Sequence, residues 1–450
     1  MGKTFQLEPS PKNHIETLMK VGYSLNMAIG DVVDNSIAAK AKNLWIYSPP
    51  SEEPFISITD DGHGMTENEL QENMRIGCKN PNDTREKTDL GRFGSGMKTA
   101  SFSVARKLIV ISKKKGHKIC CCIYDIDLII EKDQWLIEKL SEEEIKKIPE
   151  LDKVFESGHG TQLIWKNIPR YKSNIEEINE SALAEDITAI KKYLSIYFHR
   201  FMEGKEKVNF FVNNEGLQAI DPFLTQENGY TEGQSDSQYS SNGKIDIQVH
   251  ILPHHSKLSI EKIDALGGID EIAKKQGFYI YRGKRLIVEG GWLGLAKSSQ
   301  LGKLARIQVD VPTTMDDLLS TDVKKSSFQL PPKIRHLFRR MISSPIEGSK
   351  RKYNYRGSQE EANDFWDIKD NKREERITYE INTTNKQFSD LVNKLKKENR
   401  KYLISYLKKL SEHLPINHIF STMSSKPKNV KQEEIDWAEF ERILQEETWK

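Results

Sequence analysis

The sequence predicts an α+β protein of several domains, and three observations support this. Apolar residues recur at helical spacing in some segments and gather in short β-rich runs in others. At 450 residues and 51.9 kDa the chain is long enough to bury more than one core. Its 37% hydrophobic and 30% charged residues suit a globular protein with a heavily charged surface or a charged helical appendage.

Composition also excludes several classes. The 68 basic and 66 acidic residues leave a formal net charge of +2, so a nucleic-acid footprint would have to be local. The opening run from Met1 to Pro9 has no long apolar core or small-residue cleavage site, and so does not read as a signal peptide. No apolar stretch approaches the roughly 18 residues of a membrane span, so no membrane association is expected. Cys78 stands alone and Cys120, Cys121 and Cys122 are consecutive, a spacing that suits neither a tetrahedral metal site nor a disulfide framework. They read as strand residues in a reducing, cytoplasmic setting.

Along the chain, Leu25, Ala28, Ile29, Val32, Val33 and Ile37 predict an amphipathic helix from Tyr23 to Ala41. The runs Leu44–Tyr47 and Phe55–Thr59 predict two strands joined by a Pro- and Ser-bearing turn. A helix follows from Glu67 to about Ile76. Residues 77–96 are rich in Gly, Asn, Asp and charge and predict a mobile loop. Then come a helix from Met97 to about Arg106, strands at Leu108–Ser112 and Lys118–Tyr124, a charged surface insertion from Glu131 to Asp152, and a strand at Gly160–Trp165.

A second α/β unit is predicted after about residue 220. It has strand-like runs at Lys244–Leu252, Gly277–Val288 and Leu304–Val311, and a helical run at Leu258–Lys275. Glu227–Asn242 reads as a loose connector, and only helical and irregular patterns are expected beyond Ile346. The predicted domains are therefore 1–220, 221–345 and a charged, mainly helical 346–450.

Four short motifs carry chemistry. Asp31 and Asn35 lie four apart and stack on one helical face, where a carboxamide oxygen can hold Mg2+ while a carboxylate polarises a water. In Asp60-Asp61-Gly62-His63-Gly64-Met65 the glycines permit close backbone approach to a flat ligand, and a carboxylate can accept the exocyclic amine of adenine. Gly91-Arg92-Phe93-Gly94-Ser95-Gly96-Met97-Lys98 ends a polar loop and opens a helix, so free amides and Lys98 can cradle a triphosphate. It lacks the ending of a P-loop, and its G-x-x-G-x-G spacing is not the dinucleotide fingerprint. Gly160-Thr161 is the fourth motif.

In this order and spacing the motifs resemble the GHKL ATPases, the superfamily of gyrase B subunits, MutL proteins, ninety-kilodalton heat-shock chaperones, histidine kinases and MORC proteins. The Gly91–Lys98 lid looks most like that of MORC proteins and their prokaryotic relatives. The resemblance implies a Bergerat-fold ATPase domain, ATP and Mg2+ as ligands, Asn35 as the metal ligand and Asp60 as the adenine contact. It also implies Gly64 and Met65 as the pocket floor, Thr161 as a second adenine-side group, and Phe93 to Lys98 on the phosphates. One departure matters, because the family's general base is usually glutamate and Asp31 stands in its place, one methylene shorter. Gly277–Ile287 and Asp322–Phe328 resemble the ribosomal-protein-like transducer domain, which supplies a lysine to the γ-phosphate. Lys325 is the choice, with Lys324 its rival.

The resemblance further implies lid closure and ATP-dependent homodimerisation as a clamp on DNA or a DNA-bound partner, such as a nuclease or other effector, in prokaryotic defence or DNA maintenance. A chaperone-like protein-binding module is the alternative. Lys333, Arg335, Arg339, Arg340, Lys350, Arg351, Lys352 and Arg356 form a local basic segment interleaved with Tyr353 and Tyr355, suited to phosphate contact or to a solvated linker. Phe388, Leu391, Leu395, Tyr402, Leu403, Tyr406 and Leu410 predict one long helix, and the acidic run Glu433–Glu447 a docking helix.

Overall fold

A computed structural model of the chain describes residues 9–20, 22–76, 96–171, 180–240, 243–299, 302–315, 335–342, 366–371 and 376–416, with single residues 346, 349, 419 and 442. The chain divides into two units, residues 1–349 and 350–450.

The first unit opens with α1 (Pro11–Met19) and α2 (Leu25–Ala38). Ser24 caps α2 by accepting the Met27 amide, and Ala28, Ile29, Val32 and Val33 fall on its buried face. Strands β1 (Asn43–Tyr47) and β2 (Ile56–Asp60) pair antiparallel, as their sequence predicts. Then follow α3 (Glu67–Met74), held at its start by a Thr66–Glu69 capping box, and α4 (Gly96–Val104). Next come β3 (Lys107–Lys113), β4 (Cys120–Asp125), α5 (Ile126–Lys132), β5 (Glu138–Leu140), α6 (Glu142–Ile145), α7 (Val154–Ser157) and β6 (Gly160–Lys166). Helix α8 (Glu180–Tyr197) and strands β7 (Asn209–Val212) and β8 (Glu215–Gly216) complete an eight-stranded sheet of order β5-β4-β3-β6-β2-β1-β7-β8.

Period-two alternation sends side chains of this sheet into two cores. Leu108, Val110, Cys120, Cys122, Tyr124, Leu163 and Trp165 join α2, α4 and α8 in the larger core. Ile109, Ile111, Cys121, Ile123 and Ile164 face the other way onto Ile145 and Phe155. The three consecutive cysteines are thus buried strand residues. Burial pushes the Cys120 thiol up to about 11, so it packs as an apolar group. The segment after Glu131 is a correction: it adds β5 to the sheet edge, and Ile145 and Phe155 cover the second face. Its charges mask short apolar stretches that an uncovered sheet face requires.

A second, five-stranded sheet has the order β12-β11-β13-β10-β9. It comprises β9 (Thr231–Ser240), β10 (Gly243–Ile251), β11 (Gly277–Arg282), β12 (Arg285–Glu289) and β13 (Ala305–Val311). Two expectations are corrected here. The stretch read as a connector is strand β9, paired antiparallel to β10. The single helical run is two short helices, α9 (Ile260–Ala265) and α10 (Ile269–Lys274), parted by Gly267 and Gly268 at positive φ. Helical residues 335–342 bring Phe338 onto Phe278, ring centroids 4.6 Å apart.

The second unit contains an antiparallel strand pair, Trp366–Asn371 with Arg376–Ile381, which corrects the expectation of only helical and irregular segments. Its heptad run is two helices, Lys386–Lys394 and Lys397–Glu412, broken where Leu395 turns extended (ψ 148°). Among the described residues no helix is long and apolar enough to cross a membrane.

In β10, His250 is buried and fully hydrogen-bonded as a neutral ring: Nδ1 accepts the Tyr230 hydroxyl at 2.6 Å and Nε2–H donates to Gln308 Oε1 at 3.1 Å. Burial lowers its pKa from an ordinary 6.5 to about 4. The unfolded chain therefore binds this proton more readily, so stability is full above pH 6.5 and falls as pH drops toward 4. Denaturation against pH should show that fall, and His250→Gln should lessen it, buried His199 supplying a similar share; an unchanged slope would contradict the burial of a neutral imidazole.

Candidate active site

The site is built where the C-terminal half of α2 meets the end of β2. Asp60, the last residue of β2, is only 6% exposed. Its Oδ2 accepts the Ser36 hydroxyl at 2.8 Å and its Oδ1 accepts the Gly62 amide at 2.9 Å. Burial raises the Asp60 carboxyl above the usual range, while the Gly62 amide, the Ser36 hydroxyl and the Thr161 backbone oppose the rise. These three donors leave the carboxylate one lone pair for a further donor.

The neighbouring Asp61 does different work. Its oxygens accept the amides of Lys42 (2.7 Å) and Asn43 (2.8 Å) and the Asn43 side chain (2.6 Å), closing the turn from α2 to β1. Geometry thus separates two adjacent carboxylates, one structural and one left with acceptor capacity.

Glycines set the surroundings. Gly64 has φ +63°, and a Cβ there would lie 2.1 Å from the Lys113 carbonyl oxygen. Gly160 has φ +149°, and a Cβ would lie 1.9 Å from the Asp60 carbonyl oxygen. This closeness follows from the register, in which Asp60 sits opposite Thr161. Gly62 is crowded too, a Cβ there falling 2.8 Å from Asp60 Oδ1.

A fully buried serine, Ser112 on β3, ties the motifs together. Its hydroxyl accepts the Met65 amide at 2.8 Å and donates to the Gly160 carbonyl at 3.1 Å, and it shares a 2.9 Å bond with the Thr161 hydroxyl. His159 Nδ1 bonds the Gly62 carbonyl oxygen at 2.6 Å. Sequence reading missed Ser36, Ser112 and His159. Ser36 carried a faint signal, its place beside Asn35, and the other two carried none.

One helix of this site, α2, carries both the predicted metal ligand Asn35 and the predicted general base Asp31. Asn35 is exposed, and Asp31 lies one turn before it. Asp31 is engaged: the Tyr23 hydroxyl donates to it, and Arg285 Nη1 of β12 lies 3.5 Å from its Oδ1. Arg285 pairs still more closely with buried Asp34, donates to the Tyr193 hydroxyl at 3.2 Å and lies over the Phe198 ring at 5.2 Å. A Cβ on Gly30 would lie 2.5 Å from the Tyr193 hydroxyl and 2.6 Å from Arg285 Nη2, so a side chain there would push both groups away.

Lys98 departs from the expectation of a phosphate contact. Its side chain is buried, and its ammonium donates to the carbonyl oxygens of Asn73 (2.6 Å) and Arg75 (2.5 Å) at the end of α3. Those carbonyls lack intrahelical partners, which is why a cation settles there. Gly96 opens α4, and Met65 and Met97 pack against the larger core. Gly91, Arg92, Phe93, Gly94, Ser95, Lys324 and Lys325 lie outside the described residues, as do Cys78, Lys333, the basic residues from Lys350 to Arg356 and all but Arg442 of the acidic run. Arg340 pairs with Asp236 at 2.5 Å.

The donor set fits the expected ligands. A hard cation takes oxygen ligands, and Asn35 presents one beside the Asp31 carboxylate. No group of three or more His, Cys, Asp or Glu side chains placed to hold a metal occurs among the described residues.

Comparison with known proteins agrees with this geometry. Residues 23–161 match the family model described as histidine kinase-, DNA gyrase B-, and HSP90-like ATPase, a span that contains α2, the Asp60 loop and Thr161. This part of the chain is a GHKL-type ATPase domain of α+β fold. The chain is similar to the ATPase MORC2 of Homo sapiens, 23% identical over 250 residues that cover 52% of this chain and 23% of that protein. It is also similar to the ATPase morc-1 of Caenorhabditis elegans, 32% identical over 90 residues, 20% of this chain and 10% of that one. Within the GHKL class the chain is MORC-like, and the matches span less than a quarter of each of these relatives.

The buried pair Asp34–Arg285 makes a stability prediction. Arg285→Ala leaves Asp34 charged and uncompensated, and should cost about 3–5 kcal/mol in denaturant unfolding. A loss below about 1 kcal/mol would show that the two groups do not depend on each other.

Proposed function

We propose that the chain is a Mg2+-dependent ATPase that binds ATP beside Asp60 and acts as an ATP-gated clamp on DNA or a DNA-bound partner. The observation that carries the nucleotide reading is the buried Asp60 carboxylate, oriented by Ser36 and Gly62 and left able to accept from an adenine amine. Gly62, Gly64 and Met65 line its approach, and Thr161 stands opposite in the register. Asn35 would hold the metal–triphosphate, and Asp31 would take a proton from the attacking water. Bound Mg2+ would screen the phosphate charge and polarise the scissile γ-phosphoryl.

Residues Gly91 to Lys98 supply amides and charge to the phosphates, with Lys98 exchanging its two carbonyl acceptors for phosphate oxygen. Lys325, or Lys324 beside it, reaches the γ-phosphate from residues 221–345, taken as the transducer domain after an ATPase domain of residues 1–220. Residues 346–450 form the third region. Closure of these parts around nucleotide joins two copies of the chain, and the closed dimer encircles its client. A nuclease or other effector fits the role of partner, in defence or DNA maintenance. The family match and the MORC-like relatives support the ATPase part of this reading.

Asn35→Ala should abolish Mg2+-ATP binding measured by calorimetry. Asp31→Asn should retain binding and lose about 10²–10⁴-fold in turnover, the usual weight of a general base. Equal activity in both variants and the parent would refute the assignment. Light scattering of Asp31→Asn with a non-hydrolysable analogue should show a dimer, and a monomer unmoved by nucleotide would defeat the clamp.

A further inference from the structure

We infer that Arg285 and Tyr23 form a latch that restrains Asp31, so that the five-stranded sheet controls hydrolysis from outside the nucleotide pocket. The inference rests on the proposed role of Asp31 as general base. Three observations place the latch. Arg285 comes from β12, 254 positions along the chain from Asp31, yet its guanidinium is buried against α2 within 3.5 Å of Asp31 Oδ1. The Tyr23 hydroxyl, just before α2, donates to the same carboxylate. Gly30 leaves room for the guanidinium and Tyr193, which a Cβ there would crowd to 2.6 and 2.5 Å.

The two carboxylates on Arg285 are not equivalent. Asp34 is 8% exposed at its side chain and is the closer partner, so it anchors the guanidinium. Asp31 is 18% exposed and more loosely held, the one able to leave. A carboxylate that accepts from a phenol and faces a guanidinium has lone pairs occupied that a water proton needs. The charged and titratable groups around Asp31 from the packed elements are Asp34 on α2, Tyr23 before it, Tyr193 on α8 and Arg285 on β12. Any shift of β12 relative to α2 loosens Asp31 while the Asp34 pair keeps the contact from parting. Arg285 and Tyr23 are thus positioning residues acting through Asp31.

The test uses the full chain with Tyr23→Phe, which removes one hydroxyl, and Arg285→Lys, which keeps the charge but loses the fork that spans two carboxylates. Each is measured for single-turnover ATP hydrolysis, for Mg2+-ATP affinity by calorimetry and for thermal unfolding. A restraint predicts hydrolysis faster by severalfold in Tyr23→Phe, with affinity unchanged, and the same direction in Arg285→Lys if it stays folded. Unchanged or slower hydrolysis in Tyr23→Phe overturns the latch, whatever Arg285→Lys does. Failure of the parent chain to bind Mg2+-ATP would instead strike the ATPase reading, and the latch with it.

Discussion

The structure around the candidate site depends on holding one carboxylate out of water without spending it. Asp60 is buried at the end of β2, yet a serine from α2 and the Gly62 amide keep it hydrogen-bonded. An unsatisfied carboxylate there would be expensive to bury, and a fully satisfied one would have nothing left to offer. Everything near it serves that compromise: Gly160 lets β6 come close, Asp61 takes over bracing the turn, and Ser112 fixes Met65 and Thr161 to one strand.

Much of this was legible in the sequence, for identifiable reasons. The helical spacing in α2 and the alternation in β3 and β6 leave direct marks, because one face of each must meet a core. The glycines of the Asp60 motif and Gly160 stand where a Cβ would strike backbone, so their identity is a steric requirement. The family resemblance added the order of the motifs, and the match over residues 23–161 agrees with it.

What was not legible is mainly pairing across the chain. Arg285 and Asp34 are far apart in sequence, and no periodicity announces a buried ion pair. Ser112 hides in an apolar strand, and its role exists only once β3 lies beside β6. Strand β9 reads as a connector in sequence because Thr231–Ser240 is polar and sits at a sheet edge, where burial does not enforce alternation. Helix α8 does carry a sequence signal, since Leu183, Ile190 and Leu194 share one buried face. The Lys98 ammonium was expected at phosphate because its motif ends a glycine-rich run, whereas the carbonyls at the end of α3 are its partners here.

The most direct measurement is calorimetric titration of the full chain, in Mg2+, with ATP and with inosine triphosphate. The second nucleotide replaces the exocyclic amine by a carbonyl oxygen that would face the Asp60 carboxylate. If Asp60 reads adenine, ATP binds and inosine triphosphate is weaker by roughly 1–3 kcal/mol, about 5- to 150-fold. Equal affinity for the two, or no uptake of either by folded protein, would contradict the account.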